Sequence, residues 1–248
     1  MPPFDEPYVF EADGSKSLYF TFDQLQSRMS IANPTQLAVA YTRTMMGFLM
    51  FNPCPLHVAL IGLGGGSMLK FCYRHLPSTR FTVIEINPHV IALRETFDVP
   101  VDEARISMLC ADGADFLSER ENNETGPFDV LLVDGFDLHG QPPRLCTQTF
   151  YDNCFKALAP QSVLVANLHH NDPDHGLFTG RMRLAFDSQV MEIPSEEKSN
   201  SILFASKGSP ISIDALRQTD PLAGFGYDVR DQLQQEFARI AWAMTDPF

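Results

Sequence analysis

The stretch His57-Val-Ala-Leu-Ile61-Gly62-Leu-Gly64-Gly-Gly66-Ser67 limits the fold more than any other part of this chain. A short apolar run breaks into glycines and then into residues with helical apolar spacing, 67–75. Strand, glycine turn and helix, in that order, open a doubly wound α/β sheet, whose ligands lie beyond the carboxyl ends of the strands. Gly62, Gly64 and Gly66 let the backbone turn sharply and approach a ligand closely. A dinucleotide fingerprint would place its third glycine at position 67, where Ser67 stands, so the spacing is G-x-G-x-G and a nucleoside ligand is expected.

The pattern repeats downstream. Apolar runs at 81–85, 106–109, 128–133 and 162–166 alternate with helical stretches at 88–97 and 149–158. Near-continuous apolar strands are those of a parallel sheet covered on both faces, joined by right-handed crossovers. Two further β-like runs, 189–193 and 201–205, are expected to complete the sheet. Upstream, residues 7–32 alternate around the turn signal Asp13-Gly14, with Leu18, Phe20 and Phe22 expected on one face of a small antiparallel unit. Helical spacing from Asn33-Pro34 to Phe51 predicts a lead-in helix with Met45 and Met46 in the core. At the other end, 228–244 reads as an amphipathic helix with Leu233, Phe237, Ile240 and Ala241 on its packing face. The expected organisation is therefore a β-hairpin unit and lead-in helix over 1–50, a Rossmann-like nucleoside-binding catalytic domain over 51–208, and a helical extension over 209–248.

Acids stand at successive strand ends. Glu85 closes the second strand about 20 residues after the glycines, where a carboxylate accepts ribose hydroxyls. Asp112, followed by Gly113, ends the third and is placed to accept from an adenine amino group; Asp134 closes the fourth. Each alone is equally a loop carboxylate or a helix cap. Three at one sheet edge indicate a ligand site.

Composition narrows the partners. With 18 basic and 31 acidic side chains among 248 residues, the chain has a net charge of −13, which repels phosphate backbones and disfavours nucleic acid in favour of a cationic or neutral small partner. No run approaches the ~20 apolar residues of a membrane span, and the amino terminus lacks the pattern of a signal peptide. Five cysteines without a C-x-x-C pair suggest neither a zinc knuckle nor a disulfide framework; they read as buried hydrophobes in a reducing cytoplasm.

Together these residues are similar to the spermidine synthase family of polyamine aminopropyltransferases over residues 15–207. The resemblance is carried by the small β unit, Gln26 in the Asp23–Ser27 region, Tyr41, the Gly62-Leu-Gly-Gly-Gly66 loop, Glu85 with Ile86-Asn-Pro88, Asp112-Gly113, and Phe128-Asp-Val-Leu-Leu-Val-Asp134 with Asp137. It implies a class I methyltransferase-like Rossmann fold, a gatekeeping loop and following helix over 140–151, a homodimer, and transfer of an aminopropyl group from decarboxylated S-adenosylmethionine to a diamine or polyamine. Gln26, Gly62, Gly64, Gly66, Glu85, Asp112 and Gly113 would hold the co-substrate. Asp134 is placed to act as general base or amine orienter, Asp137 to attract a second ammonium and Tyr41 to bond the attacking nitrogen.

The sequence departs from the family pattern at several points. Gly65 stands where the family has an aspartate, Thr42 where it has glutamine, Gly135-Phe136 where it has a serine pair, Leu138 where it has proline, and Ser195 where a diamine-contacting tyrosine is expected. Methyl transfer from S-adenosylmethionine and a catalytically silent thionucleoside-binding module remain open beside aminopropyl transfer. Residues 169–175, with three histidines and two aspartates, lack helical i, i+4 spacing and a cysteine partner, so they read as a polar loop beside the pocket and no metal is expected. His139 in the gate is a candidate substrate contact, and 195–198 reads as a solvated turn.

Overall fold

The computed structural model describes residues 4–22, 24–101, 104–119, 126–138, 140–195, 199–208, 211 and 220–244. His139 and residues 196–198 lie outside the described residues.

Three antiparallel strands, β1 (Tyr8–Ala12), β2 (Ser15–Thr21) and β3 (Gln24–Ser30), form the amino-terminal sheet. Asp13 and Gly14 join the first two with φ of 50° and 72°, as a two-residue hairpin matched to strand twist requires. Leu18 and Met29 are buried, but Phe22 is 96% exposed. The alternation that pairs Phe22 with Leu18 and Phe20 stops at Thr21, because Phe22 already belongs to the turn into β3. The lead-in helix is also shorter than its pattern predicts. α1 (Ala40–Met45) passes into a 3-10 turn, Met46–Met50, while 33–39 is irregular. Leu37 is nonetheless buried, so its apolar spacing records burial without helix. Met45 and Met46 lie in the core.

The main sheet has seven strands, β4 (His57–Ile61), β5 (Arg80–Glu85), β6 (Ile106–Cys110), β7 (Phe128–Val133), β8 (Leu158–His169), β9 (Val190–Pro194) and β10 (Asn200–Lys207), in the order β6-β5-β4-β7-β8-β10-β9. β4 to β8 pair in parallel, and β10 runs antiparallel to both its neighbours. Strand order reverses at β4, so a crevice opens between the carboxyl ends of β4 and β7.

Both faces of the sheet are covered, which explains the unbroken apolar strands. Val58, Leu60, Val83, Val130, Leu132 and Val165 pack on one side, and Ala59, Ile61, Ile84, Leu131, Val133 and Leu164 on the other, the alternation a pleated strand dictates. On the first side lie α2 (Ser67–His75) and the helix over 227–243, whose Leu233, Phe237 and Ile240 join Met46 and Phe48. On the second lie α4 (Gly113–Ser118), α5 (Gln148–Ala157) and α6 (His175–Ala185), which follow α3 (Pro88–Ala92) in the chain; the helix Tyr227–Ala243 is α7.

Three expectations change. The helix predicted over 88–97 stops at Ala92 and resumes as a 3-10 turn, Glu95–Phe97, closed by Asp98 at φ 52°. The fifth strand extends to both sides of 162–166, with Gln161 at φ 58° where its pairing to β7 slips. Cys72, Cys146 and Cys154 are buried but Cys54 and Cys110 are exposed, since Cys54 lies in the loop before β4 and Cys110 ends the partly uncovered strand β6; all five thiols are free. Among the described residues no helix is long and apolar enough to cross a membrane.

Candidate active site

The loops after β4, β5, β6 and β7 meet over a cleft of about 690 Å3 at the carboxyl edge of the sheet. The glycine loop is tied in from two directions. A Cβ at Gly62, φ 96°, would lie 2.1 Å from the Asp134 carbonyl oxygen, and one at Gly66, φ 68°, would lie 2.5 Å from Val99. No larger residue fits either place, and the close approach at Gly62 sets the β4 loop directly against the end of β7. Gly66 caps α2, while Gly62, Leu63 and Gly64 line the cleft.

Glu85 is held by the backbone. Its two carboxylate oxygens accept from Leu63 N at 2.8 Å and Asn87 N at 2.8 Å. Burial pushes its carboxyl above the ordinary range, and the backbone N–H groups of Asn87, Leu63, Ile86 and Gly64 oppose that rise. The carboxylate oxygens retain lone pairs for further donors, which is what binding vicinal hydroxyls needs. Asn87 in turn caps α3 through His89 N and donates to the Asp5 carbonyl, which lays Phe4 and Asp5 along the cleft wall.

Asp112 performs the capping role that is the alternative for a lone strand-end acid. Its Oδ1 accepts from Ala114 N at 2.7 Å and Asp115 N at 3.2 Å, and Arg144 donates to its Oδ2 at 2.6 Å. Arg144 also binds Asp115, so one exposed guanidinium bridges two carboxylates at the mouth. Gly113 opens α4 and lines the cleft beside Asp112.

On the other side of Gly62 stands Asp134. Tyr41 Oη donates to its Oδ2 at 3.0 Å and Asn167 Nδ2 to its Oδ1 at 2.8 Å; Asn200 Nδ2 then donates to Asn167 Oδ1 at 2.9 Å. Burial raises the Asp134 carboxyl above its usual range, and the bonds from Asn167 and Tyr41 pull it back. A desolvated carboxylate with two donors fixed in place is a stronger proton acceptor than one in water. Asp137 lines the same cleft, in a tight loop closed by reciprocal backbone bonds to Gly140. Between the two acids Phe136 stacks on His169 with centroids 4.4 Å apart.

Thus Gln26, Tyr41, Gly62, Gly64, Glu85, Asp112, Gly113, Asp134 and Asp137 all border one cleft, and Gly66 stands just behind it. Ser195 does not border it; its Oγ is buried without a hydrogen-bond partner among the described residues. Gly65 is packed against β3, where a Cβ would meet Ser27 Oγ at 2.7 Å and Phe97 at 3.0 Å, so the acid the resemblance would place there requires these side chains to shift. Missing from the sequence reading are Asn167 and Asn200, Asp5, and the Arg144–Asp115 pair. Asn167 gives a signal close to that of Asp134, a polar residue directly after the apolar run 162–166; Asn200 gives none. Among the described residues six carboxylates line the cleft against one guanidinium, which favours a cationic ligand.

Both the sequence and the fold match known proteins. Residues 38–176 match the spermine/spermidine synthase domain. A polyamine aminopropyltransferase of Neisseria meningitidis is 34% identical over 93% of this chain and 88% of its own. The fold resembles that of a probable spermidine synthase from Corynebacterium glutamicum, with a TM-score of 0.68, 20% identity, and coverage of 92% of this chain and 93% of that one. It also resembles human methyltransferase-like protein 13 in complex with SAH, with a TM-score of 0.64, 21% identity, and coverage of 81% and 93%. Matched across more than half its length by the family domain, and a third identical to a curated relative across most of it, the chain belongs to the spermine/spermidine synthase family and is a transferase.

Proposed function

We propose that the protein transfers an aminopropyl group from decarboxylated S-adenosylmethionine to a small diamine or polyamine, with Asp134 accepting the proton that the attacking nitrogen sheds. The observation that carries this reading is the Asp134 carboxylate, buried and gripped by Tyr41 and Asn167 in the same cleft as Glu85. The amine nitrogen forms a bond to the carbon beside the sulfonium, the carbon–sulfur bond breaks, its electron pair neutralises sulfur, and the ammonium proton passes to Asp134. Such a step needs a neutral amine held in line with the departing sulfur, and orientation supplies much of the rate. Glu85, fixed by two backbone donors, is suited to the ribose hydroxyls, and Asp137 to the far ammonium of the acceptor. Curated relatives named polyamine aminopropyltransferases support the class of reaction.

One observation favours a second reading. Gly65 leaves no acid in the glycine loop to repel the carboxylate of ordinary S-adenosylmethionine, so methyl transfer competes as the alternative activity. Product analysis decides between them. Incubation with decarboxylated and ordinary S-adenosylmethionine and a panel of diamines, followed by mass spectrometry, is expected to yield methylthioadenosine only when both the decarboxylated donor and a diamine are present. Adenosylhomocysteine as the product would replace this reading with methyl transfer. Thionucleoside binding with neither product would indicate a silent module.

A further inference from the structure

We propose that His170, His175 and Glu192 form a binding site for one divalent cation of the zinc class, separate from the nucleoside cleft. One ring nitrogen of each histidine and one carboxylate oxygen lie within 4.8 Å of one another. They come from three segments: His170 follows β8, His175 opens α6, and Glu192 sits in β9. β8 and β9 do not touch in the sheet, because β10 lies between them. An ion here would therefore brace two strands across a third.

The hydrogen bonds around the cluster are those of a ligand set. His175 Nδ1 lies 3.1 Å from the His169 carbonyl oxygen, which can only accept, so Nδ1 carries the proton. That leaves Nε2 of the neutral ring with a lone pair, 2.7 Å from Glu192 Oε1, itself an acceptor. At that separation the two acceptors share a further proton, which a metal ion would displace as the pair opens to the ~3.4 Å between ligands of a tetrahedral zinc. His170 Nδ1 lies 2.9 Å from Ser201 Oγ, which leaves its other nitrogen available. A histidine whose remote nitrogen is fixed by a carbonyl or hydroxyl is the usual metal-ligating arrangement. Two imidazoles and one carboxylate suit zinc, with a fourth position left to water. Ligands of a tetrahedral zinc at ~2.0–2.2 Å stand about 3.4 Å apart, so the His175–Glu192 pair opens slightly while the ring of His170, hinged on its bond to Ser201, turns in to complete the set. The sequence conceals this site because Glu192 lies 17 residues beyond His175.

The test uses the full chain without an affinity tag, stripped with a chelator and titrated with Zn2+ by calorimetry and with Co2+ by visible absorption. One ion per chain, a low-coordinate Co2+ spectrum and a Zn2+-dependent rise in melting temperature are expected. Glu192→Gln, which removes a charged ligand, should weaken binding by at least roughly 100-fold, and Ser201→Ala, which removes an outer-shell partner, by roughly 10-fold. His170→Ala, at an exposed ring, serves as a second ligand variant should Glu192→Gln fail to fold. Absence of saturable one-to-one binding, or binding unchanged in these variants, overturns the proposal and leaves an imidazolium–carboxylate pair.

Discussion

The two halves of the cleft are built from different materials. On the nucleoside side Glu85 is fixed by two main-chain N–H groups, and the glycine loop is fixed by backbone contact with Asp134. On the amine side the Asp134 carboxylate is held by side chains, Tyr41 on one oxygen and Asn167, backed by Asn200, on the other, while its backbone bonds to Ile61. A backbone cradle persists as long as the loops keep their path. A side-chain network changes with each substitution; of the departures from the family pattern, Thr42 and Phe136 line the cleft, while Gly65 lies in the glycine loop of the nucleoside half.

Substitutions break this contrast in graded ways. Asp134→Asn removes the proton acceptor and should lower turnover by about 10^3, within the range for general base catalysis. The same variant should melt above the wild type near neutral pH. Burial raises the Asp134 carboxyl, so the ionised form carries a cost that is full above its folded titration and disappears as pH falls toward the ordinary value of 3.8. The melting difference should shrink over that descent, as scanning calorimetry at several pH values would show. Glu85→Ala strands the Leu63 and Asn87 N–H groups and removes the acceptor for the ribose; methylthioadenosine binding should weaken by about 100-fold, as expected for hydrogen bonds to a charged group.

Asn167→Ala is milder. It removes a bond that lowers the Asp134 titration, so the acid limb of the kcat/KM profile should move to higher pH, with turnover reduced about tenfold. An unmoved limb would separate Asn167 from the acid's chemistry. The smallest effect belongs outside the cleft. Phe22→Ser, at a ring 96% exposed in the turn after β2, should change stability by less than about 0.5 kcal/mol and leave turnover unaltered.

How much was legible in the sequence follows the same division. The strand, glycine turn and helix of 57–75 are local, and so are the acids that end strands; their residues predict β4, α2, β5 and β7 closely. Asp134 was visible for that reason. Its partners were less so, since Tyr41 is 93 positions away and Asn167 is 33, and only the folded sheet brings them together. Apolar spacing misled at 33–39, where Leu37 is buried in irregular chain, and at Phe22, where alternation ran past the end of its strand. In both cases the pattern recorded burial or composition while backbone hydrogen bonding determined the element. Asp112 shows the converse: its cap of α4 is a local role, fixed by the following residues, and Arg144 reaches it from 32 positions away.

The central claim is that donor binding and proton acceptance reside in separable halves of one cleft. Calorimetric titration of methylthioadenosine into the wild type, Asp134→Asn and Glu85→Ala tests it directly. The Asp134→Asn variant should bind with a Kd within about threefold of the wild type, whereas Glu85→Ala weakens by about 100-fold. Equal loss of binding in both variants would contradict the division.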